Sequence, residues 1–217
     1  MRRTRATRTL ENALRRVGFV HVAGVDEVGR GCLAGPVVAA AVLLDPARHI
    51  PDLADSKLVP PAERDRLAVR IRRDAIGWAL GEVAPADIDR LNIHRASLEA
   101  MRRAVAGLVP QPDVVLVDGF RVPGLEMAQR GIIHGDRLVA SIAAASILAK
   151  VYRDGLMRDL HAADPRYRYD RHKGYATPAH LAAVARYGYS SIHRHSFRPR
   201  SLFDTIGSDT WMPRTTL

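Results

Sequence analysis

The chain has one cysteine, Cys32, so it has no internal disulfide framework. A lone cysteine fits a reducing compartment, and the expected location is cytoplasmic. No apolar run reaches the roughly 18 residues that span a bilayer. AVAGLVP and SIAAASILA are too short, and nothing at the N-terminus reads as a secretory signal, so no membrane partner is expected. The absence of paired cysteines and of HExxH removes the common zinc patterns. HRH at 193–195 is a weak zinc signal and reads better as part of a basic surface. Lysine is scarce, with three against thirty arginines, a bias that GC-rich codon usage also produces. There is no internal repeat and no low-complexity tract.

What is present is basic charge and a sizeable core. The net charge is +10 and the hydrophobic fraction 47% over 217 residues, enough for one large domain. Such an excess points to a polyanionic partner, nucleic acid before an acidic membrane surface. Residues 1–20 carry six arginines and one glutamate. They read as a basic arm over 1–19, either a short helix or frayed, with a transit peptide as a weaker alternative. The main domain runs over 20–205, and the tail 206–217 reads as loose.

The spacing predicts strands at 19–27 and 35–44, a turn-rich link at 45–60, and an amphipathic helix at 61–75 with Pro61 in its first turn. A strand at 76–83, a long helix at 85–108, a buried strand at 113–119, a short strand at 127–134 and a long helix at 138–163 follow. That order implies a mixed sheet with helices packed on it, an α/β domain.

The acidic residues sit where this pattern makes them costly. Asp26 and Glu27 follow the apolar stretch HVAGV, Asp118 follows VVLV, and Asp136 precedes the long helix. A carboxylate at the end of a buried strand is expensive to desolvate without compensation. Singly, each has a structural explanation. Asp136 suits a helix N-terminus, Asp118 a turn, and Glu27 a solvent-facing strand position. Together, four converging carboxylates would repel one another, and a divalent cation would relieve the repulsion. Oxygen-only ligands favour Mg2+ or Mn2+ over zinc. Spacing alone does not bring the four together.

GVDEVGRGCLAGPVVAAAV closely resembles the opening motif of type 2 ribonucleases H, the ribonuclease HII family. LADSKLVPPAERD, LNIHRASLEAM, VLVDG, GDRLVASIAAASILAKVYRD, HKGYATPAH and HRHSF match further family segments in order, over about residues 20–200. The resemblance implies a ribonuclease H-like fold, a five-stranded mixed sheet flanked by helices with a C-terminal helical extension. It makes Asp26, Glu27, Asp118 and Asp136 the catalytic, metal-binding acids. It implies an endonuclease that hydrolyses the RNA strand of RNA–DNA hybrids and cuts 5′ of ribonucleotides embedded in duplex DNA, leaving 5′-phosphate and 3′-hydroxyl ends. Gly29, Arg30 and Gly31 would contact the ribonucleotide, Tyr175 would recognise the RNA-to-DNA junction, and Lys57 and Lys173 would meet phosphates.

Two metals about 3.5–4 Å apart can activate water, neutralise the phosphate and stabilise the leaving oxygen. On that scheme Asp26 bridges the two, Asp118 and Asp136 each complete one, and Glu27 binds directly or through water. The arginines at 194, 198 and 200 are expected to add nonspecific phosphate contacts, and Cys32 to be a packing residue. Three departures stand out: one lysine, Lys57, where the family commonly has two, Ala176 in place of glycine, and His195 in place of arginine. The alternative is a noncatalytic hybrid-binding module of the same fold. The sister ribonuclease HIII type carries an extra N-terminal domain, and only about twenty residues precede the first strand here. Ribonuclease HI does not place an adjacent Asp-Glu pair on its first strand. A monomer is the expected state.

Overall fold

The structure is a computed structural model that describes residues 5–197. Helix α1 (Thr9–Arg16) leads into β1 (Val22–Val28) and β2 (Val37–Leu44). Helix α2 (Pro61–Asp74), β3 (Ala75–Val83), α3 (Pro85–Leu91) and α4 (Ile93–Ala106) follow. Next come β4 (Val114–Asp118), β5 (Ala128–Ile132), the short α5 (Gly135–Leu138) and the long α6 (Ala140–Ala163). Two small helices, α7 (Tyr169–His172) and α8 (Pro178–Tyr187), close the described chain.

The sheet order is β3-β2-β1-β4-β5. β1 pairs antiparallel with β2, and β2 with β3. β4 lies parallel to β1, and β5 to β4. This is the five-stranded mixed α/β sheet expected from the resemblance. β2 is buried at all eight positions, which is why its sequence shows no polar alternation: both faces of the sheet are covered. On one face α4 packs on Val25, Ala39, Ala41 and Val117. On the other, Ala143, Ala144, Ile147 and Leu148 of α6 meet Val38, Ala40 and Val42.

Small residues let α6 come close. A Cβ on Gly24 would collide with the backbone of Ser141 and Ile142, so β1 carries a glycine where the helix crosses it.

Two expected helices are each divided. The run 85–108 breaks at Asn92, which takes φ 70° and accepts a hydrogen bond from the Arg95 N–H, capping α4. The run 138–163 begins only at Ala140, because Val139 is extended and forms a parallel bridge with Thr7.

That bridge belongs to a docked N-terminal segment. The Ala140 N–H donates to the Thr7 carbonyl at 3.0 Å, and Leu10 and Leu14 pack beside Val139 and Ile142. The buried Glu11 carboxylate accepts from the Ser141 N–H at 2.8 Å. The basic segment docks on the domain through the Thr7 bridge and the helix Thr9–Arg16. The tail 206–217 lies outside the described residues. Among the described residues no helix is long and apolar enough to cross a membrane.

Candidate active site

The parallel register of β1 and β4 runs Val22 with Val114 through Val25 with Val117. One step further places Asp26 beside Asp118, on neighbouring strands and on the same face of the sheet. Both stand at the carboxyl ends of their strands, where open α/β sheets collect ligands. The face is the one covered by α6, since Gly24, two residues before Asp26, meets Ser141.

Asp136 comes from α5. Its neighbour Gly135 donates its N–H to the Asp118 carboxylate at 2.7 Å, which draws the α5 start against the end of β4. Asp136 and Asp26 are buried, at 7% and 6% exposure, a costly placement for two carboxylates. Glu27, one residue on, holds Arg30 in an ion pair at 3.0 Å.

Asp26 feels the other three acids. Burial pushes the Asp26 carboxyl well above its ordinary range, and the Glu27, Asp118 and Asp136 carboxylates push it further. Burial raises Asp136 as well, with Asp55 and Asp118 adding to it and Lys57 opposing. Burial also raises Glu27, against the pull of Arg30.

Three of the acids also have protein partners. Glu27 faces Arg30, Asp118 accepts from Gly135, and Asp26 accepts from the Glu27 N–H at 2.7 Å. Among the described residues no three or more His, Cys, Asp or Glu side chains stand in ready-made ligand geometry.

The GRG turn follows β1 directly. Gly29 has φ 92° and sits on the Arg153 guanidinium, so a side chain there is excluded twice. Gly31 differs: a Cβ added to it would meet nothing within 4 Å, so the folded chain does not itself require glycine there.

Tyr175 arrives beside this turn through an antiparallel bridge with Cys32, while the Leu33 N–H donates to the Gly174 carbonyl at 2.8 Å. Tyr175 is 39% exposed. Lys57 is exposed near Asp136. The Lys173 ammonium is turned onto the Asp170 carbonyl within its own loop. Cys32 is fully buried and its thiol is raised by that burial, as suits a packing residue and not a nucleophile.

Two surface expectations are corrected. Arg194 is 0% exposed, so it makes no free phosphate contact. His193 is 1% exposed and burial pushes it down to about 3, so it is neutral core and not basic surface. Arginines 198 and 200 lie outside the described residues.

Some contributors were not singled out from sequence. Ser146 of α6 lies beside Asp26, where it opposes the upward push on that carboxyl, and its hydroxyl donates to Ser56 at 2.9 Å. Asp55 is buried, caps the turn at Lys57 and meets Arg137 at 3.3 Å. The second serine of SIAAASILA, set among apolar residues, was the available signal for Ser146.

The ribonuclease HII family model matches residues 23–199. A ribonuclease HII of Thiobacillus denitrificans is 56% identical over 189 residues, covering 87% of this chain and 93% of that protein. One from Mycobacterium avium is 51% identical over 199 residues, covering 91% and 86% respectively. The crystal structure of the ribonuclease H2 from Pyrococcus horikoshii superposes with a TM-score of 0.71 at 24% identity, covering 86% of this chain and 98% of that one, which shows the shared fold. With a family match spanning most of its length and relatives more than half identical, this chain belongs to the ribonuclease HII family.

Proposed function

We propose that the protein is an endonuclease that hydrolyses the RNA strand of RNA–DNA hybrids and cuts on the 5′ side of ribonucleotides embedded in duplex DNA, leaving 5′-phosphate and 3′-hydroxyl ends. The observation that supports this is the placement of Asp26 beside Asp118, with Glu27 and Asp136 near enough to raise the Asp26 carboxyl, at the sheet end that also presents the GRG turn and Tyr175.

The donor set fits hard divalent cations, Mg2+ or Mn2+. It is all oxygen, and its mutual repulsion is what a cation relieves. Asp26, Glu27, Asp118 and Asp136 would hold them, drawing together from their present partners. When bound, such ions supply charge neutralisation at the phosphate and a water of lowered pKa. Ser146 stands beside Asp26 from α6, and the Gly135 amide orients Asp118. The exposed Arg30 side chain is placed for a backbone phosphate, and the open face of Gly31 lets a ribose approach the turn. Tyr175 offers a ring for stacking at the junction. Lys57 stands beside Asp136 for a phosphate, and Lys173 would have to leave Asp170 to do the same. The working form is a monomer in the cytoplasm.

The test is cleavage of a duplex carrying one ribonucleotide, with Mg2+ or Mn2+, by the native protein and by Asp118→Asn. A metal-dependent cut 5′ of the ribonucleotide, reduced at least about 10³-fold in the variant, supports the proposal. Cutting of long RNA tracts alone would overturn the roles given to the GRG turn and Tyr175. No cutting of any hybrid by folded protein would favour a noncatalytic binding module.

A further inference from the structure

Two arginines lie beneath the GRG turn, Arg153 from α6 and Arg194 from the segment after α8, and both are 0% exposed. Arg194 donates to the carbonyls of Gly29 at 2.7 Å, Arg30 at 2.9 Å and Gly35 at 3.0 Å. Arg153 donates to those of Pro36 at 2.9 Å, Lys173 at 2.9 Å and Ala34 at 3.0 Å. Among the described residues no carboxylate is a hydrogen-bond partner of either guanidinium.

Burying a guanidinium without an anion is costly, and an apolar side chain would fill the same space at less cost to stability. What only arginine supplies is a planar fork of N–H donors. Burial lowers Arg194 to about 10, which leaves it charged at neutral pH.

The carbonyls it takes have a geometric consequence. In a trans peptide the C=O and the following N–H point to opposite sides. Turning the Gly29 and Arg30 carbonyls inward therefore turns the Arg30 and Gly31 amides outward. Among the described residues neither amide donates to any acceptor. They are free donors on the open face where a Cβ at Gly31 would meet nothing. Arg153 ties the second wall, the Lys173–Tyr175 loop, to the same frame.

We propose that Arg194 and Arg153 are positioning residues that set the peptide planes of the GRG turn and the Tyr175 loop, so that selection of a ribose 2′-hydroxyl depends on these two buried forks. This rests on the reading above that the turn meets the ribonucleotide.

The test measures equilibrium binding, in Ca2+, of a duplex with one ribonucleotide and of the same duplex as all DNA. It compares the native protein with Arg194→Lys and Arg153→Lys, which keep a cation but lose the fork. The expected result is a native preference for the ribonucleotide duplex that falls at least tenfold in each variant. All-DNA binding should stay within about twofold. A merely structural role would weaken both duplexes in parallel or lower thermal stability with the preference intact, and either result overturns the proposal. A native protein that binds both duplexes alike overturns the reading of the turn, and the clamp with it. A native preference that both variants retain overturns the clamp alone. The native protein also allows a check that needs no variant. Nuclear magnetic resonance should show slow exchange of both buried Arg Nε–H protons and fast exchange of the Arg30 and Gly31 amides. Fast Nε–H exchange or protected amides would overturn the proposal even if neither variant folds.

Discussion

Asp26 is the residue at which stability and function oppose each other most directly. It is buried, it adjoins three other carboxylates, and its own carboxyl is pushed well up, by burial first and by Glu27 next. Asparagine keeps the acceptor for the Glu27 N–H while removing a charge the folded chain has to hold. Asp26→Asn should therefore raise stability by about 1 kcal/mol in the presence of chelator, or roughly 2–4 °C in melting temperature. The same variant should lose cleavage and also lose the stabilisation that Mg2+ or Mn2+ confers on the native protein by mass action. Calorimetry with and without metal checks both halves. An unchanged or lower melting temperature in chelator would mean that the acidic cluster carries no strain.

At the scale of elements, β1 and its contact with α6 decide where the acids stand. Gly24 is the contact point, and a methyl group there would press on the Ser141–Ile142 backbone, which cannot rotate out of the way. Gly24→Ala should cost about 3 kcal/mol, a fall of roughly 6–12 °C, because the helix has to move off the strand. Gly31→Ala makes the opposite case. It meets nothing, so the melting temperature should stay within about 2 °C while cleavage at a single ribonucleotide drops at least tenfold. Thermal melts beside cleavage rates separate the two. Equal stability losses in the two variants would contradict the contrast.

The whole molecule combines a neutral histidine core with a basic exterior. His180 and His193 meet through their Nε2 atoms at 3.1 Å, and His172 stacks on His180 at 4.2 Å. Burial pushes His180 down to about 4 and His193 to about 3. Unfolded histidine titrates near 6.5, so as pH falls the unfolded chain takes up protons first. This stabilisation is fully present above about pH 6.5 and drains away as pH approaches 3–4. At pH 5 the loss is about 2 kcal/mol for each ring. Urea melts from pH 7.5 to 4.5 should show the decline, and His180→Gln should flatten it. The net charge of +10 acts on partners instead. If about four phosphates are contacted, affinity for any duplex should fall roughly 10²-fold between 50 and 200 mM salt. Salt-independent affinity would remove the basic surface from the account of binding.

The sequence by itself determined the strand and helix order, the acids at the strand ends and the glycine turn. Those rest on local periodicity, turn chemistry and motifs close together in the chain. It placed Asp26 and Glu27 side by side but could not show that Asp118, 92 positions from Asp26, stands on the next strand. The parallel register of β1 and β4 decided that. It read Arg194 and His193 as surface because a charged residue in a C-terminal basic run is usually solvated. Tertiary structure buried both, since burial depends on which carbonyls and rings close over a side chain. Helix continuity was settled once by a distant partner and once by a local cap. Val139 turns extended to pair with Thr7, and Asn92 turns to cap the next helix. Arg153 lies in the middle of a long helix and gave no local signal, because its role consists of carbonyls supplied by residues 34, 36 and 173. Local rules reach a few residues along the chain; the frame around the turn is made of contacts between segments 20 to 165 residues apart.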